Sequence, residues 1–357
     1  MFSSVTGAGS FDVAFSSGPA SSNVSVQLQD SDGAISNVST VTVAVAPTFS
    51  LSGLVFSDFN NDGEVDFGER AIQNVVITLS NQFGTVVATT TTNAQGIYEF
   101  TGLVSGQYYI TEQQPTGYSQ GTNKIGTLGG TISAIDQFFV NFANAGTSTD
   151  GLNYNFAERP NANGNVQSGQ TASIGFWQNK NGQALIVALN GGANSTQLGN
   201  WLATTFPNMY GAAAGTSNLT GKTNTQVAAF YVNLFKRNGQ TAPAGPPKVD
   251  AQVLATALAV YVTNSSLAGN VASAYGFQVS VNGVGYSKFN VGTNGAAFGV
   301  ANGSSVTVMD LLLALNTRTR RGLLFDTDNS GTISSSEQNF REMANTVFSG
   351  INDLGNI

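Results

Sequence analysis

Two twelve-residue stretches, Asp58-Phe59-Asn60-Asn61-Asp62-Gly63-Glu64-Val65-Asp66-Phe67-Gly68-Glu69 and Asp326-Thr327-Asp328-Asn329-Ser330-Gly331-Thr332-Ile333-Ser334-Ser335-Ser336-Glu337, hold eight of the 20 acidic residues in the chain. Each places oxygen-bearing side chains at positions 1, 3, 5 and 9, Gly at 6 and Glu at 12, the spacing of a calcium loop. Calcium is a hard cation that takes roughly six to eight oxygens in a flexible geometry. In a tight loop, alternate positions face one centre, so Asp58, Asn60 and Asp62 converge, as do Asp326, Asp328 and Ser330. Gly63 and Gly331 permit the sharp bend because they lack a Cβ. Position 7 serves through its backbone carbonyl, so Glu64 and Thr332 need not ligate through their side chains. Asp66 and Ser334, at position 9, act directly or through water, and Glu69 and Glu337 close each loop with both carboxylate oxygens. The expectation is two Ca2+ sites. Without an ion, each loop crowds carboxylates that repel one another.

Composition narrows the chemistry further. A chain of 357 residues suggests two to four domains, and 41% hydrophobic residues suit globular folding. Only 9% of residues are charged, against about a quarter in ordinary domains. Gly, Ser, Thr and Asn fill most polar positions, and such a neutral surface favours close contact between copies. The net charge of -7 excludes a nucleic-acid reader, and the densest basic cluster is only Arg318, Arg320 and Arg321. With no Cys there are no disulfides or thiolates; with no His, a Ser-His-Asp or Cys-His arrangement is impossible. Apolar runs such as 253–262 fall short of the roughly 20 residues of a membrane span. Met1-Phe2-Ser3-Ser4 lacks the basic and apolar regions of a signal peptide. The composition nevertheless looks secreted, so a mature segment or a fragment of a longer surface chain is expected, extracellular or at the cell surface.

The pattern along the chain divides it. Residues 1–47 read as a partial Ig- or cadherin-like β segment, alternating with period 2 at 24–29 and 41–45 around an Asp30-Ser31-Asp32-Gly33 turn. Residues 50–158 read as a β-sandwich, with strands at 52–56, 75–80, 86–92, 98–100 and 108–112 between Gly and Asn turns. Residues 159–170 are a polar Pro/Gly/Asn linker. From 171 to 321 the period becomes 3.6, with helices expected at 182–189, 197–206, 223–237, 249–263 and 306–316. A hairpin is expected across Asn282-Gly283, joining 277–281 to 286–291. Residues 322–357 hold the second loop and a helix from 337 to 354, with Phe340, Met343, Ala344, Val347, Phe348 and Ile351 on one stripe.

The middle segment carries Gly53-x-Val55-Phe56-x-Asp58-x-Asn60-x-Asp62-Gly63, Gly96-x-Tyr98-x-Phe100, Gly106-x-Tyr108 and Glu112-x-x-Pro115-x-Gly117-Tyr118. In that order these motifs resemble the SdrD B-like repeats of staphylococcal surface proteins, within the broader Cna-B-like group. The resemblance implies an Ig-like sandwich, calcium at the first loop, and a stalk or spacer role. Some relatives carry a Lys–Asn isopeptide, but the one lysine here, Lys124, follows the strands where such a lysine would sit, so none is expected. The motifs around Trp177, Trp201 and 289–300 resemble a helical segment that follows such repeats in large secreted proteins of planctomycete-type bacteria; no activity comes with that likeness. The last 36 residues resemble a lone EF-hand or half-dockerin. With no second loop nearby, cohesin binding is not expected.

The fold class expected is therefore multidomain: an all-β Ig-like sandwich of the Cna-B/SdrD B-like type, a mainly α domain with a hairpin, and a C-terminal EF-hand-like loop and helix. The function expected is non-enzymatic, a calcium-stabilised surface or matrix protein that serves as a stalk or self-assembling filament subunit. Self-association would run through exposed strand edges. The alternative is an adhesin or carbohydrate-binding module whose Trp177 and Trp201 stack on surface glycans, although core packing is the simpler role for both. A glycosidase needs two facing carboxylates. The acids outside the loops, among them Asp136, Asp150, Glu158, Asp250, Asp310 and Glu342, are scattered in sequence, and Asp250 and Asp310 read as capping or surface residues.

Overall fold

Period-2 alternation gives way to period 3.6 near residue 170, and the architecture changes there from sheet to helix. The structure, a computed structural model, describes residues 21–27, 29, 32–44, 48–142 and 150–357. Strands β1 (Ser21–Val26) and β2 (Ser39–Ala44) form an antiparallel hairpin with Ser21 opposite Ala44. Asp32 and Gly33 of the expected turn lie within it; residues 1–20, Asp30 and Val45 lie outside the described residues.

The β-domain then follows as β3 (Phe49–Ser57), β4 (Arg70–Ala71), β5 (Val76–Asn81), β6 (Val86–Thr91), β7 (Ile97–Leu103), β8 (Gln107–Glu112), β9 (Tyr118–Gln120), β10 (Thr131–Ala134), β11 (Gln137–Asn141) and β12 (Phe156–Pro160). One sheet has the order β10-β11-β8-β5-β6, the other β4-β3-β12-β9, with β7 also pairing β3. Inward residues of both sheets, among them Leu51, Val55, Ile77, Leu79, Ile110, Phe138 and Phe156, make one core. The final strand lies parallel to the first, Phe156 opposite Val55, so the domain closes on itself. Tyr98 locks that closure by donating its hydroxyl proton to the Tyr154 carbonyl at 2.7 Å from inside the core.

The α-domain comprises α1 (Ile174–Gln178), α2 (Lys180–Ala188), α3 (Gln197–Thr205), α4 (Pro207–Tyr210), α5 (Asn224–Lys236), α6 (Val249–Thr263), α7 (Ser265–Ala268), α8 (Val308–Thr317) and α9 (Ser335–Leu354). Short pairs β13 (Lys288–Asn290) with β14 (Ser305–Thr307) and β15 (Thr319–Arg320) with β16 (Leu323–Leu324) complete it. Helix α6 is small or apolar on nearly every face, and all 15 of its residues are buried. A helix without a polar face must be a central one. The stripe of α9 packs in the same core, so residues 322–357 are part of the α-domain rather than an appendage.

Three expectations change. The Asn282-Gly283 hairpin does not form: Ser280 bridges to Asn264, Val284 donates its N–H to the Thr263 hydroxyl, and Lys288–Asn290 pairs with Ser305–Thr307 instead. Burial of Val284 and Tyr286 outweighs local turn preference there. The stretch 159–170 is laid along the α-domain, with Asn163 and Val166 donating to the Tyr286 and Lys288 carbonyls. Trp177 and Trp201 are 0% and 3% exposed, so neither offers a face to a sugar.

One ionic contact ties α9 to α6. Arg341, 0% exposed, donates to Asp250 Oδ2 at 3.0 Å and to the Leu324 carbonyl at 3.1 Å. Removing one partner of a buried pair leaves the other uncompensated. Arg341→Ala is expected to destabilise the α-domain by about 3–5 kcal/mol. Arg237, which reaches the same carboxylate at 3.6 Å from a partly exposed position, should cost under about 1 kcal/mol when replaced by Ala. Urea unfolding of the two variants checks this, and equal losses would refute the assignment.

Candidate metal centres

The two loops sit in different surroundings yet share one backbone design. Asn61 and Asn329, at position 4, have φ of 59° and 58°, and Gly63 and Gly331 both have φ of 78°. Asn tolerates the left-handed region and Gly enters it freely, so the sequence permits the same bend twice. That bend turns backbone N–H groups inward. Gly63 donates to Asp58 Oδ2 at 2.9 Å, and Gly331 to Asp326 Oδ2 at 3.0 Å. The position-12 carboxylates are held alike. Glu69 accepts from Phe59 and Asp66 N–H, both at 2.9 Å; Glu337 accepts from Thr327 at 2.8 Å and Ser334 at 2.9 Å.

The remaining expected ligands are also brought in. In the second loop, carboxylate oxygens of Asp326, Asp328 and Glu337 lie within 4.8 Å of one another. Ser330 lies beside them, its N–H on Asp328 at 3.0 Å and its hydroxyl 3.1 Å from the Thr332 carbonyl. In the first loop, Asn60 turns its Nδ2 to Asp62 at 2.8 Å and Asp66 at 3.0 Å. For Asn60 to ligate, its amide must turn over to present Oδ1; the rest of the donor set is all oxygen and fits a hard cation. Glu64 points away and pairs with Lys124, as a residue serving only through its carbonyl is free to do.

The flanks depart from a helix-loop-helix. The first loop leaves β3 and returns in β4. The second leaves β16 and runs into α9, where Ser334 and Glu337 form a capping box. Helix α8 ends at Thr317 and β15–β16 intervene, so the second loop has a helix on one side only.

The first loop also touches the α-domain. Tyr286 donates its hydroxyl proton to the Phe59 carbonyl at 3.1 Å, and the two rings lie 5.9 Å apart. Nearby, Arg159 at the end of β12 pairs with Asp310 of α8 at 2.6 Å. Asp310 also accepts the Thr307 hydroxyl at 2.7 Å, so it serves both as a first-turn residue and as the far end of this ion pair.

A third group of carboxylates went unrecognised in the sequence. Glu112, Asp136 and Glu158 meet between the two sheets, one oxygen of each within 4.8 Å of the others. Alternation carried a signal: Tyr108, Ile110 and Glu112 occupy successive inward positions of β8, and Glu158 is two residues beyond buried Phe156. Their convergence depends on sheet packing, which local pattern does not reveal.

Electrostatics differ between the loops. Burial raises Asp58 to about 6 and Glu69 to about 8. Hydrogen bonds from the Ser334 N–H and hydroxyl lower Glu337 to about 2. A raised carboxylate pKa means that the folded state holds protons the unfolded chain has released. Calcium-free, the contribution of Asp58 and Glu69 is full below their ordinary range and is lost as pH rises through about 6 and 8. Glu337 has the opposite sign; its contribution is lost only as pH falls toward about 2. The calcium-free β-domain is therefore expected to melt at a lower temperature at pH 8 than at pH 5. Millimolar calcium should close that gap by replacing the proton. Scanning calorimetry at both pH values, with calcium and with chelator, checks this.

Comparison with known proteins agrees with the β-domain. Residues 49–141 match the family profile of the SdrD B-like domain. The chain is 41% identical over 91 residues to serine-aspartate repeat-containing protein F of Staphylococcus epidermidis, a match spanning 24% of this chain and 6% of that protein. It is 38% identical over 106 residues to serine-aspartate repeat-containing protein D of Staphylococcus aureus, spanning 30% of this chain and 7% of that one. The chain thus spans less than a tenth of the length of these relatives. Among solved structures, the minor pilin GBS52 of Streptococcus agalactiae aligns at 14% identity with a TM-score of 0.23, covering 35% of this chain and 53% of that one. A score so low carries no argument here. The β-domain is an SdrD B-like domain joined to a separate helical region.

Proposed function

We propose that this chain is a calcium-braced structural segment of a bacterial surface or matrix protein, a stalk or spacer rather than a catalyst. The observation that carries the reading is the repeated loop design: the same φ pattern and the same carboxylate–amide network appear in a sheet domain and in a helical one. Asp58, Asn60, Asp62, Asp66 and Glu69, with the Glu64 carbonyl, hold one Ca2+. Asp326, Asp328, Ser330, Ser334 and Glu337, with the Thr332 carbonyl, hold another. Each ion replaces carboxylate repulsion with attraction. The first stiffens the loop on which Tyr286 rests and so the joint between the two domains; the second fixes the approach to α9. The SdrD B-like match supports placement outside the cell. Among the described residues no helix is long and apolar enough to cross a membrane.

Calorimetric melting with and without calcium tests the reading. Two calcium-dependent gains are expected, that of the β-domain removed by Asp58→Ala and that of the α-domain by Glu337→Ala. At free calcium 100 times the Kd of a site, the gain is about 2.7 kcal/mol. Melting indifferent to calcium would overturn it.

Self-assembly into filaments is the second reading, favoured by the outermost strands β6 and β10, which present Val86, Val87 and Ile132 to solvent. Such edges pair with strands of another chain. Electron microscopy of the purified chain in calcium should show oligomers; monomers at all concentrations would sink the filament reading and leave the spacer one intact.

A further inference from the structure

The carboxylates of Glu112, Asp136 and Glu158 are 4%, 6% and 0% exposed and come from three separate segments. Glu112 ends β8 of one sheet, Glu158 lies on β12 of the other, and Asp136 sits in the β10–β11 turn. Asp136 adopts φ of 54°, and its carbonyl accepts the Glu112 N–H at 2.9 Å, which seats the turn against β8. Three acids at this burial need compensation, and the chain provides little. No N–H or hydroxyl group donates to either oxygen of Glu112, to Glu158 Oε1 or to Asp136 Oδ1; the Glu112 and Glu158 carboxyls lie close enough to share a single proton. Among the described residues no Lys or Arg pairs with any of them: Lys124 is engaged by Glu64 and Arg159 by Asp310. The buried Gln120 Oε1 is likewise unpartnered. Glu158 Oε2 accepts the Gln114 side-chain amide, and the Asn123 and Gln120 side chains bond to Asp136.

Buried polar atoms are satisfied in nearly all native proteins, so a cluster of unsatisfied oxygens calls for a missing partner. Desolvation of an unpaired carboxylate is costly, and two like charges beside it add to the cost. Either protons or a metal ion can neutralise the group. The donors are all oxygen, which suits calcium and not a metal that seeks nitrogen or sulfur. A solvent-facing pocket is lined by Gln120 and Asn123 and by Ala134 and Ile135, which precede Asp136; none of the three acids lines it. The carboxylates are too deeply buried to straddle a sugar ring, so the glycosidase arrangement does not apply.

We propose that Glu112, Asp136 and Glu158, with Gln120 Oε1, form a third calcium site inside the β-domain, which staples its two sheets together. Three carboxylates around one Ca2+ leave a net charge of −1 where the metal-free group would carry −3. Burial and mutual repulsion push the Glu112 and Glu158 carboxyls upward, so protons are the competing occupant. This site does not depend on the two loops.

The test counts calcium on the full chain by equilibrium dialysis. In Asp58→Ala/Glu337→Ala, which disables both loops, one equivalent of calcium is expected to remain. Adding Glu112→Gln and Glu158→Gln should remove it, and in the wild-type background the same pair should lose one equivalent. No residual calcium in the loop-disabled chain would overturn the proposal whether or not the loops bind. So would Glu112→Gln melting at or above the wild-type temperature with an unchanged calcium count, because Gln mimics a protonated Glu. If the variants do not fold, anomalous diffraction from wild-type crystals soaked in terbium decides: a peak among the three carboxylates supports the site, and its absence refutes it.

Discussion

Backbone N–H groups aimed at buried carboxylates organise this protein. Asp58 and Asp326 are both 0% exposed, and each is reached by the N–H of a glycine five residues later. A carboxylate so placed accepts charge-assisted hydrogen bonds that a loop of ordinary geometry does not offer. The loop must therefore curl around its own first residue, and the curl brings in the remaining oxygens. The position-12 glutamate then ties the far end to the near end through two further N–H groups. Each loop is set by its own backbone, which explains why a β-strand can lead into one and a two-strand hairpin into the other.

Because so few charges are present, each one that is buried has a defined position. Arg341 joins α6, α9 and the strand before the second loop. Arg159 and Asp310 join the end of β12 to α8, close to where Tyr286 meets the first loop. The joint between domains thus comprises an ion pair, a hydroxyl-to-carbonyl hydrogen bond and an aromatic contact, all within a few residues of the candidate metal ligands. A change in the first loop bears directly on that joint.

Sequence pattern revealed the parts whose causes are local. The expected helix at 249–263 has those bounds in the structure because its apolar residues, among them Val253, Leu254, Leu258 and Tyr261, recur at helical spacing after Pro246-Pro247. The two loop bends were legible because Asn61, Gly63, Asn329 and Gly331 are residue types that enter the left-handed region readily. The strands β3 and β5 to β8 were legible from alternation. What escaped was set by distant partners. Asn282-Gly283 favours a hairpin locally, but Thr263 and Asn264 at the end of α6 capture its neighbours. Glu112 and Glu158 lie 46 positions apart and meet only once two sheets have packed. Strands β9, β10 and β12 show no alternation of buried and exposed residues along their length that would mark an inward face.

The α-domain begins and finishes at the same place. Thr171 bridges Asn356 in parallel, with Thr171 N–H on the Gly355 carbonyl at 2.7 Å and Ile357 N–H on the Thr171 carbonyl at 3.1 Å. Tension drawn through the chain at these two segments pulls parallel neighbours in opposite directions. Their hydrogen bonds are then loaded together, in shear, and do not peel one at a time. A domain whose first and last segments clasp each other in this way resists their separation through bonds that must break together.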